Sequence, residues 1–252
     1  MVDNVEKYKS FIIHLKRSKG RMAQVQDLSE KSPFKVEIVD AVDGAKLTVA
    51  EIDACFSAQA LFQPKYPFGL NAGEIGCFLS HRVAWQKIVD QDLTAGLILE
   101  DDVQLEPMVF ERAIEATKKR STSYGYIQFQ VRDVALTNPV MERADDVTLL
   151  RPIPVFLRTS AQLVSKAAAQ HLLDITQRFD RPIDTFLQMG WVTEIWPVCV
   201  VPSGVADRTQ ETGGSTISQQ KSLRAKFIRE FKRANYRFAV KRCSKKAVLE
   251  GK

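Results

Sequence analysis

Residues 97–102 read Leu-Ile-Leu-Glu-Asp-Asp, an apolar run that stops in three consecutive acids, Glu100, Asp101 and Asp102. Three carboxylates at the end of a buried strand repel one another unless a cation sits among them. Hard oxygen donors select a divalent ion such as Mg²⁺ or Mn²⁺, which keeps open positions for substrate phosphates. Glu100 and Asp102, spaced by one residue, can flank such an ion, and its charge would then favour departure of a diphosphate. The alternative is a solvated turn after a strand, where runs of acids are common.

Further residues could take part. In Asn71-Ala-Gly-Glu-Ile-Gly-Cys-Phe-Leu-Ser-His81, two glycines around an acid read as a tight loop where backbone meets ligand, followed by a helix carrying Ser80 and His81. His81 lies three residues after Phe78 and four before Trp85, on the face that reads as buried, so a hydrogen-bonded core histidine competes with a catalytic one. Ser80 and His81 are no nucleophile–base pair, because adjacent helical residues diverge. The basic turn Lys16–Arg21 and the Asp43-Gly44 turn can meet a nucleotide or simply be solvated. In Arg181-Pro-Ile-Asp184 the proline favours a helix start, leaving Asp184 as either a cap or a general base.

The elements that must position these residues alternate. Strands are expected at 10–15, 36–39, 95–99, 126–131, 147–150 and 160–164, and an extended segment at 191–201. Helices are expected at 21–30, 48–60, 73–90, 110–119 and 166–178, with Thr48 and Glu51 at capping-box spacing. Residues 202–216, rich in Gly, Ser and Thr, read as a mobile loop. This order implies an α/β fold, a Rossmann-like and largely parallel sheet flanked by helices. Ligands of such sheets bind beyond the carboxyl ends of the strands, where the three acids lie.

With 252 residues, 45% of them hydrophobic and 26% charged, the chain has the composition of an ordinary soluble domain. No apolar run is long enough to span a bilayer, and the first ten residues lack the apolar stretch of a secretory signal. The four cysteines are far apart, which argues against a disulfide framework and agrees with a cytoplasmic setting. The net charge of +6 is uneven. Residues 221–252 hold twelve Lys/Arg and two Glu, a local +10, so residues 1–220 carry 6 − 10 = −4. Within this basic segment Leu223, Phe227, Phe231, Ala234 and Phe238 fall on one helical stripe. That pattern suits a helix lying on an anionic membrane surface, or one that packs its phenylalanines on the domain. Nucleic acid is not expected as a partner, because the basic footprint is confined to one terminal helix. The boundary of the main domain is placed at 217, with the tail at 218–252.

As an ordered set these segments resemble glycosyltransferase family 25, which includes bacterial lipooligosaccharide galactosyl- and glucosyltransferases and collagen galactosyltransferases. The resemblance rests on residues 11–18, Asp40-Ala-Val-Asp-Gly44, the block 73–81 with Trp85, Leu97–Val103 and Pro182-Ile-Asp184. It implies a GT-A fold, a UDP-sugar donor, Mn²⁺ or Mg²⁺, and inversion at the anomeric carbon. Carried onto this chain, Asp102 and Glu100 would hold the metal. His14, Leu15, Arg17, Arg21, Asp43, Gly44, Gly73, Glu74, Ser80, His81 and Glu100 would shape the donor-nucleotide pocket, and Asp184 or Asp101 would be the catalytic base. Family members often close with Ser-Asp-Ile, whereas Ser215-Thr-Ile217 stands here. The expected protein is a peripheral enzyme on the inner face of the cytoplasmic membrane. It would transfer galactose or glucose to a lipid-linked lipooligosaccharide core. The rival is a non-catalytic nucleotide-sugar or glycan-binding protein on the same fold.

Overall fold

The computed structural model describes residues 7–132, 134, 138–208 and 223–251, with side chains in the last segment from 227 onward. Its first strand, β1 (Tyr8–His14), sends Phe11 and Ile13 into one hydrophobic core and Ile12 into another, so it is enclosed on both faces. Helix α1 (Met22–Lys31) buries Val25 and Leu28 and leads to β2 (Val36–Asp40). Helix α2 (Val49–Cys55) starts at the expected Thr48–Glu51 capping box and ends before the expected residue 60. Helix α3 (Ala72–Asp90) also starts at a capping box: Asn71 Oδ1 accepts from the Glu74 N–H at 3.0 Å and Glu74 Oε2 from the Asn71 N–H at 2.8 Å.

Next come β3 (Ala95–Glu100), β4 (Val103–Leu105), α4 (Pro107–Lys118), the one-turn α5 (Ser121–Tyr124) and β5 (Tyr126–Phe129). They are followed by β6 (Val140–Ala144), β7 (Val147–Leu150), β8 (Ala161–Ser165), α6 (Lys166–Ile175), α7 (Ile183–Leu187) and α8 (Gly190–Thr193). The described chain ends with β9 (Val198–Val201), β10 (Val205–Asp207) and α9 (Leu223–Leu249).

Eight strands form one sheet in the order β2-β1-β3-β8-β5-β9-β7-β6. The pairs β2–β1, β1–β3 and β5–β9 are parallel, whereas β8 runs antiparallel to both of its neighbours and β7 to both of its own. The expected Rossmann-like layering is present, and the sheet is mixed beyond β3. Helical and strand periods carry no information on strand direction, which explains why this was not visible in the sequence. One core lies between the sheet and α3, α6 and α7, with Phe78, Trp85, Ile88, Leu172, Phe179 and Phe186 buried. The other lies under α1 and α4, with Leu28, Leu97, Leu99, Phe110 and Ile114. Phe78 and Phe179 stack at 3.9 Å between ring centroids.

Two segments differ from expectation. Residues 191–201 are not extended throughout. They begin in α8, which stops at Glu194 in the left-handed conformation (φ 55°), and the strand starts only after Pro197, which lacks the N–H a ladder needs. Part of the expected mobile loop is the strand β10, paired antiparallel with β4. Residues 209–216 of that loop, with Ser215-Thr-Ile217 and the 217/218 boundary, lie outside the described residues.

Helix α9 docks on the body through Tyr236, Val240, Ser244 and Ala247, all buried, and the Tyr236 hydroxyl accepts from Arg181 Nη1 at 2.9 Å. From Phe227 onward the expected apolar stripe faces the other way. Phe227, Phe231 and Phe238 are 76%, 61% and 69% exposed, and Ala234 is exposed too. The phenylalanines are thus not the docking face.

The turn after β2 meets α3 closely. A β-carbon on Gly44 would lie 1.7 Å from the Ala72 carbonyl oxygen, and one on Gly76 would lie 2.6 Å from that of Val42. Ser80 Oγ accepts the Val42 N–H at 2.8 Å and clamps the same contact. Gly44→Ala is therefore expected to cost about 3 kcal/mol or more, since backbone and not a movable side chain blocks the added methyl. An unchanged urea midpoint would contradict this contact.

Glu37 ties β1, β2 and α3 together, accepting from Lys9, from Lys87 Nζ at 2.7 Å and from Gln91 Nε2 at 3.0 Å. Burial works to raise its pKa, but these hydrogen bonds prevail and hold the carboxyl at about 2. A depressed folded-state pKa contributes stability above about pH 4.5, and that contribution is lost as pH falls toward 2. Wild type should be more stable than Glu37→Gln at pH 7 and lose that lead between pH 4.5 and pH 2.5. An equal gap at both ends of a urea titration series would show that charge does not hold this cluster.

Candidate functional site

The parallel register aligns the carboxyl ends of three strands: Ile13 on β1 faces Glu100 on β3, and His14 faces Asp40 on β2. Over this edge lies the first half of α3. Residues at spacings of three and four share a helix face, and Gly73, Glu74, Cys77, Ser80 and His81 all line one cavity of about 830 Å³. Leu15, Arg17, Arg21, Asp43, Gly44, Glu100, Asp101 and Asp102 line it as well. The structure therefore brings together every expected donor-side residue except His14, along with the two expected metal ligands.

The three acids have different surroundings. Asp101 is buried and both its oxygens are engaged, Oδ2 at 2.7 Å from His14 Nδ1 and Oδ1 accepting from Arg21 Nη1 at 2.5 Å. Asp101 lines the cavity, whereas His14 does not and meets it through Asp101. Asp101 sets Arg21, whose Nη1 also lies 3.7 Å from Asp102 Oδ2.

Glu100 sits between Thr159, whose hydroxyl donates to Oε1 at 3.2 Å, and His81, whose Nε2 is 3.5 Å away. Burial, followed by the charge of Asp102, pushes Glu100 up to about 8. Asp102 is also raised, mainly by burial, with Asp101 and Asp207 adding to it and Arg21 and Arg158 opposing it. Two carboxyls that hold charge poorly beside each other are relieved by a divalent cation, so Glu100 and Asp102 fit the expected hard-ion site. Cys77, His81 and Glu100 form a second, softer donor set, with ligand atoms within 4.8 Å of one another.

His81 is fully buried, with Nδ1 3.0 Å from the Cys77 carbonyl and Nε2 3.3 Å from that of Thr159. Burial lowers its pKa against those two carbonyls, so it is a core histidine that also forms a cavity wall. The residues 73–76 are the opening turn of α3, not a loop, and Glu74 is its cap partner. Gly44 and Gly76 are required by backbone contact between the Asp43 turn and α3. Asp43 caps the turn after it, accepting from the Ala45 N–H at 3.2 Å and from Arg17 Nε at 2.9 Å.

Asp184 lies in the first turn of α7, beside this cavity and not on its wall. Its Oδ2 accepts the Arg158 N–H at 3.3 Å and its Oδ1 the Thr185 hydroxyl at 3.1 Å. Its charge acts on Glu100, Cys77 and His81. Arg158 has φ 83°, a left-handed backbone unusual for a long side chain, and pairs with Asp207 at 2.7 Å. Strain of this kind is typical where a site requires a fixed group. Arg158, Thr159, Cys77, Asp207 and Arg229 of α9 belong to the site without having been singled out in the sequence. Of these, only Cys77 stood inside a motif that carried the reading.

Residues 7–187 match the family described as glycosyltransferase family 25 (LPS biosynthesis protein). The chain is 37% identical to procollagen galactosyltransferase 2 of Mus musculus over 99 residues, which is 38% of this chain and 16% of that one. It is 32% identical to a glycosyltransferase 25 family member of Drosophila melanogaster over 145 residues, 54% of this chain and 23% of the other. A probable inactive glycosyltransferase 25 family member 3 of Rattus norvegicus is 31% identical over 186 residues, 70% and 32% of the two chains. The match thus spans a third or less of each relative. Among solved structures, that of A197 from STIV covers 86% of this chain at 9% identity and a TM-score of 0.38, too distant to bear on the site. Since the family match covers most of the chain and contains the β3 acids, the Asp43 turn and the α3 block, this protein belongs to glycosyltransferase family 25.

Proposed function

We propose that the chain is an inverting, metal-dependent hexosyltransferase. It would move galactose or glucose from a UDP-sugar to a lipooligosaccharide or lipopolysaccharide core acceptor. The observation that carries this reading is the cavity at the carboxyl ends of β1 and β3, which Glu100 and Asp102 line together with Arg17 and Arg21. Glu100 and Asp102 would hold a divalent ion, which when bound supplies charge neutralisation to a departing diphosphate. Arg21, oriented by Asp101, and Arg17, oriented by Asp43, present guanidinium groups to the donor's phosphates. The Asp43–Gly44 turn contacts the nucleoside.

Asp184 is the base. Its carboxylate takes the acceptor hydroxyl proton as that oxygen bonds to the anomeric carbon, and the bond from that carbon to the diphosphate oxygen breaks on the opposite face. The Arg158 N–H keeps Asp184 in place. Asp184→Asn should lower transfer by about 10²–10⁴-fold, the usual contribution of a positioned base. Asp102→Asn should lower transfer and remove its response to Mn²⁺. The measurement is turnover of UDP-galactose, UDP-glucose and UDP-N-acetyl sugars with and without Mn²⁺. The similarity to a probable inactive family member favours one rival, a non-catalytic glycan or nucleotide-sugar binder. No turnover of any of these donors by wild type would decide for the rival.

The acceptor's lipid would bring the enzyme to an anionic membrane surface, in our reading the inner face of the cytoplasmic membrane, with α9 as the contact. The support is the outward stripe Phe227, Phe231 and Phe238, set among Lys232, Arg233, Arg237, Lys241 and Arg242. No helix among the described residues is long and apolar enough to cross a membrane. Replacing the three phenylalanines by serine in the full chain leaves the docked face intact. It should reduce partitioning onto phosphatidylglycerol-containing vesicles at least tenfold, as read by sedimentation. Equal partitioning by the variant would remove the membrane role of this face.

A further inference from the structure

Helix α9 does more than carry charge. Arg229 and Tyr236 are seven residues apart, two turns, and so lie on the same face. Tyr236 is anchored to the buried Arg181, whose guanidinium is held in turn by Asp180 at 2.7 Å and by the Phe62 carbonyl at 2.9 Å. Tyr236 also packs edge-on against Tyr66 at 5.4 Å between centroids, and Tyr66 against Phe68 at 5.5 Å. The guanidinium carbon of Arg229 lies 5.1 Å from the Phe68 ring centroid. This chain of contacts sets Arg229 on the wall of the same cavity that holds Glu100 and Asp102.

The three arginines lining the cavity are not equivalent. Arg17 is paired with Asp43, and Arg21 with Asp101. Arg229 has no carboxylate partner among the described residues and lies over the face of Phe68. A guanidinium oriented by an aromatic ring keeps its edge N–H groups for an oxyanion. The donor's phosphates are already provided for at the Arg17–Arg21 end. Arg229 stands instead against Phe68, whose chain neighbour Gly69 lines the cavity together with Asn71.

We propose that Arg229, oriented by Phe68, forms an acceptor subsite that reads a negatively charged group, phosphate or carboxylate, on the acceptor sugar. The proposal rests on the transferase reading only for the word acceptor; the anion-binding subsite is tested directly. It also makes α9 a wall of the working site, so removal of the tail would impair binding of an acidic acceptor even in the absence of membrane.

The experiment is an NMR titration of the full chain with glucose, glucose 6-phosphate and glucuronate, each with UDP present, for wild type, Arg229→Gln and Arg229→Lys. Wild type should bind one or both acidic sugars at least tenfold more tightly than glucose, and the comparison of the two identifies phosphate or carboxylate. Arg229→Gln should abolish the preference, Arg229→Lys should keep part of it, and UDP affinity should stay within twofold in both. Equal binding of charged and neutral sugars by wild type, or a preference that survives in Arg229→Gln, would overturn the proposal. So would a tenfold loss of UDP affinity in Arg229→Gln, which would assign the cation to the donor. Thermal melts of the variants separate loss of the subsite from loss of the α9 contact, and Phe68→Leu, which keeps Arg229, should weaken acidic-sugar binding without abolishing its charge preference. Absence of sugar-nucleotide turnover would count against the transferase reading while leaving this binding result to stand or fall by itself.

Discussion

Negative charge at the end of β3 is the constraint around which the other parts are arranged. Three acids in a row cannot all be ionised, buried and close together without compensation, and the fold deals with each separately. Asp101 turns inward and is held by His14 from β1 and Arg21 from the turn before α1. Glu100 points under α3 and accepts from Thr159, where burial keeps its proton on until about pH 8. Asp102 remains at the cavity surface, between Arg21 on one side and the Arg158–Asp207 pair on the other. The result is an edge with one carboxylate engaged by His14 and Arg21 and two whose pKa values are raised by burial.

That arrangement needs α3 close to the strand ends, and the closeness is what the glycines supply. At Gly44 and Gly76 backbone touches backbone, and Ser80 locks the contact with a hydrogen bond. His81 reaches Glu100 only because α3 is seated at this distance. A histidine with no buried charge nearby would be an ordinary core residue; here the same packing makes it part of the ligand cavity. Packing and chemistry at this site are thus one requirement on the α3 sequence.

Much of this was visible in the residues alone. The alternation of strands and helices, the Thr48–Glu51 box and the grouping of the β3 acids with the 73–81 block follow from local pattern, and the structure places them at one edge. Three kinds of information were absent. Strand direction is not encoded in a hydrophobic period, so the antiparallel β8 could not be seen. The partners of Asp101 lie 80 and 87 residues away in sequence, so nothing local distinguished it from Asp102. Arg158 and Arg229 carry no motif: one owes its place to a left-handed backbone before β8, the other to a helix whose two faces look alike in composition. The stripe of phenylalanines was legible, but periodicity cannot say whether a stripe faces the body or away from it. Here Tyr236, Val240 and Ala247 take the inward face.

The two faces of α9 bear on each other. At about 100° per residue, Phe227 lies nine residues from Tyr236 and so about 180° around the helix. The helix is one rigid element over this length, so whatever holds the phenylalanines also holds Arg229. A flexible tether would leave the cavity indifferent to what the basic segment touches. A docked helix cannot, because its inner side contributes cavity wall and its outer side is exposed aromatic surface among cations. On the proposed reading this is a geometric benefit: an acceptor with a lipid at one end and a charged sugar at the other would meet the outer and inner sides of the same helix. The anchor that makes it so is a single buried arginine. Arg181 is 0% exposed and its charge is matched by Asp180, while its Nη1 reaches Tyr236. Burying a guanidinium is costly unless its donors are satisfied, and here one of those donors goes to α9. The Tyr236 contact thus ties the described part of the basic segment to the buried Arg181–Asp180 pair of the body.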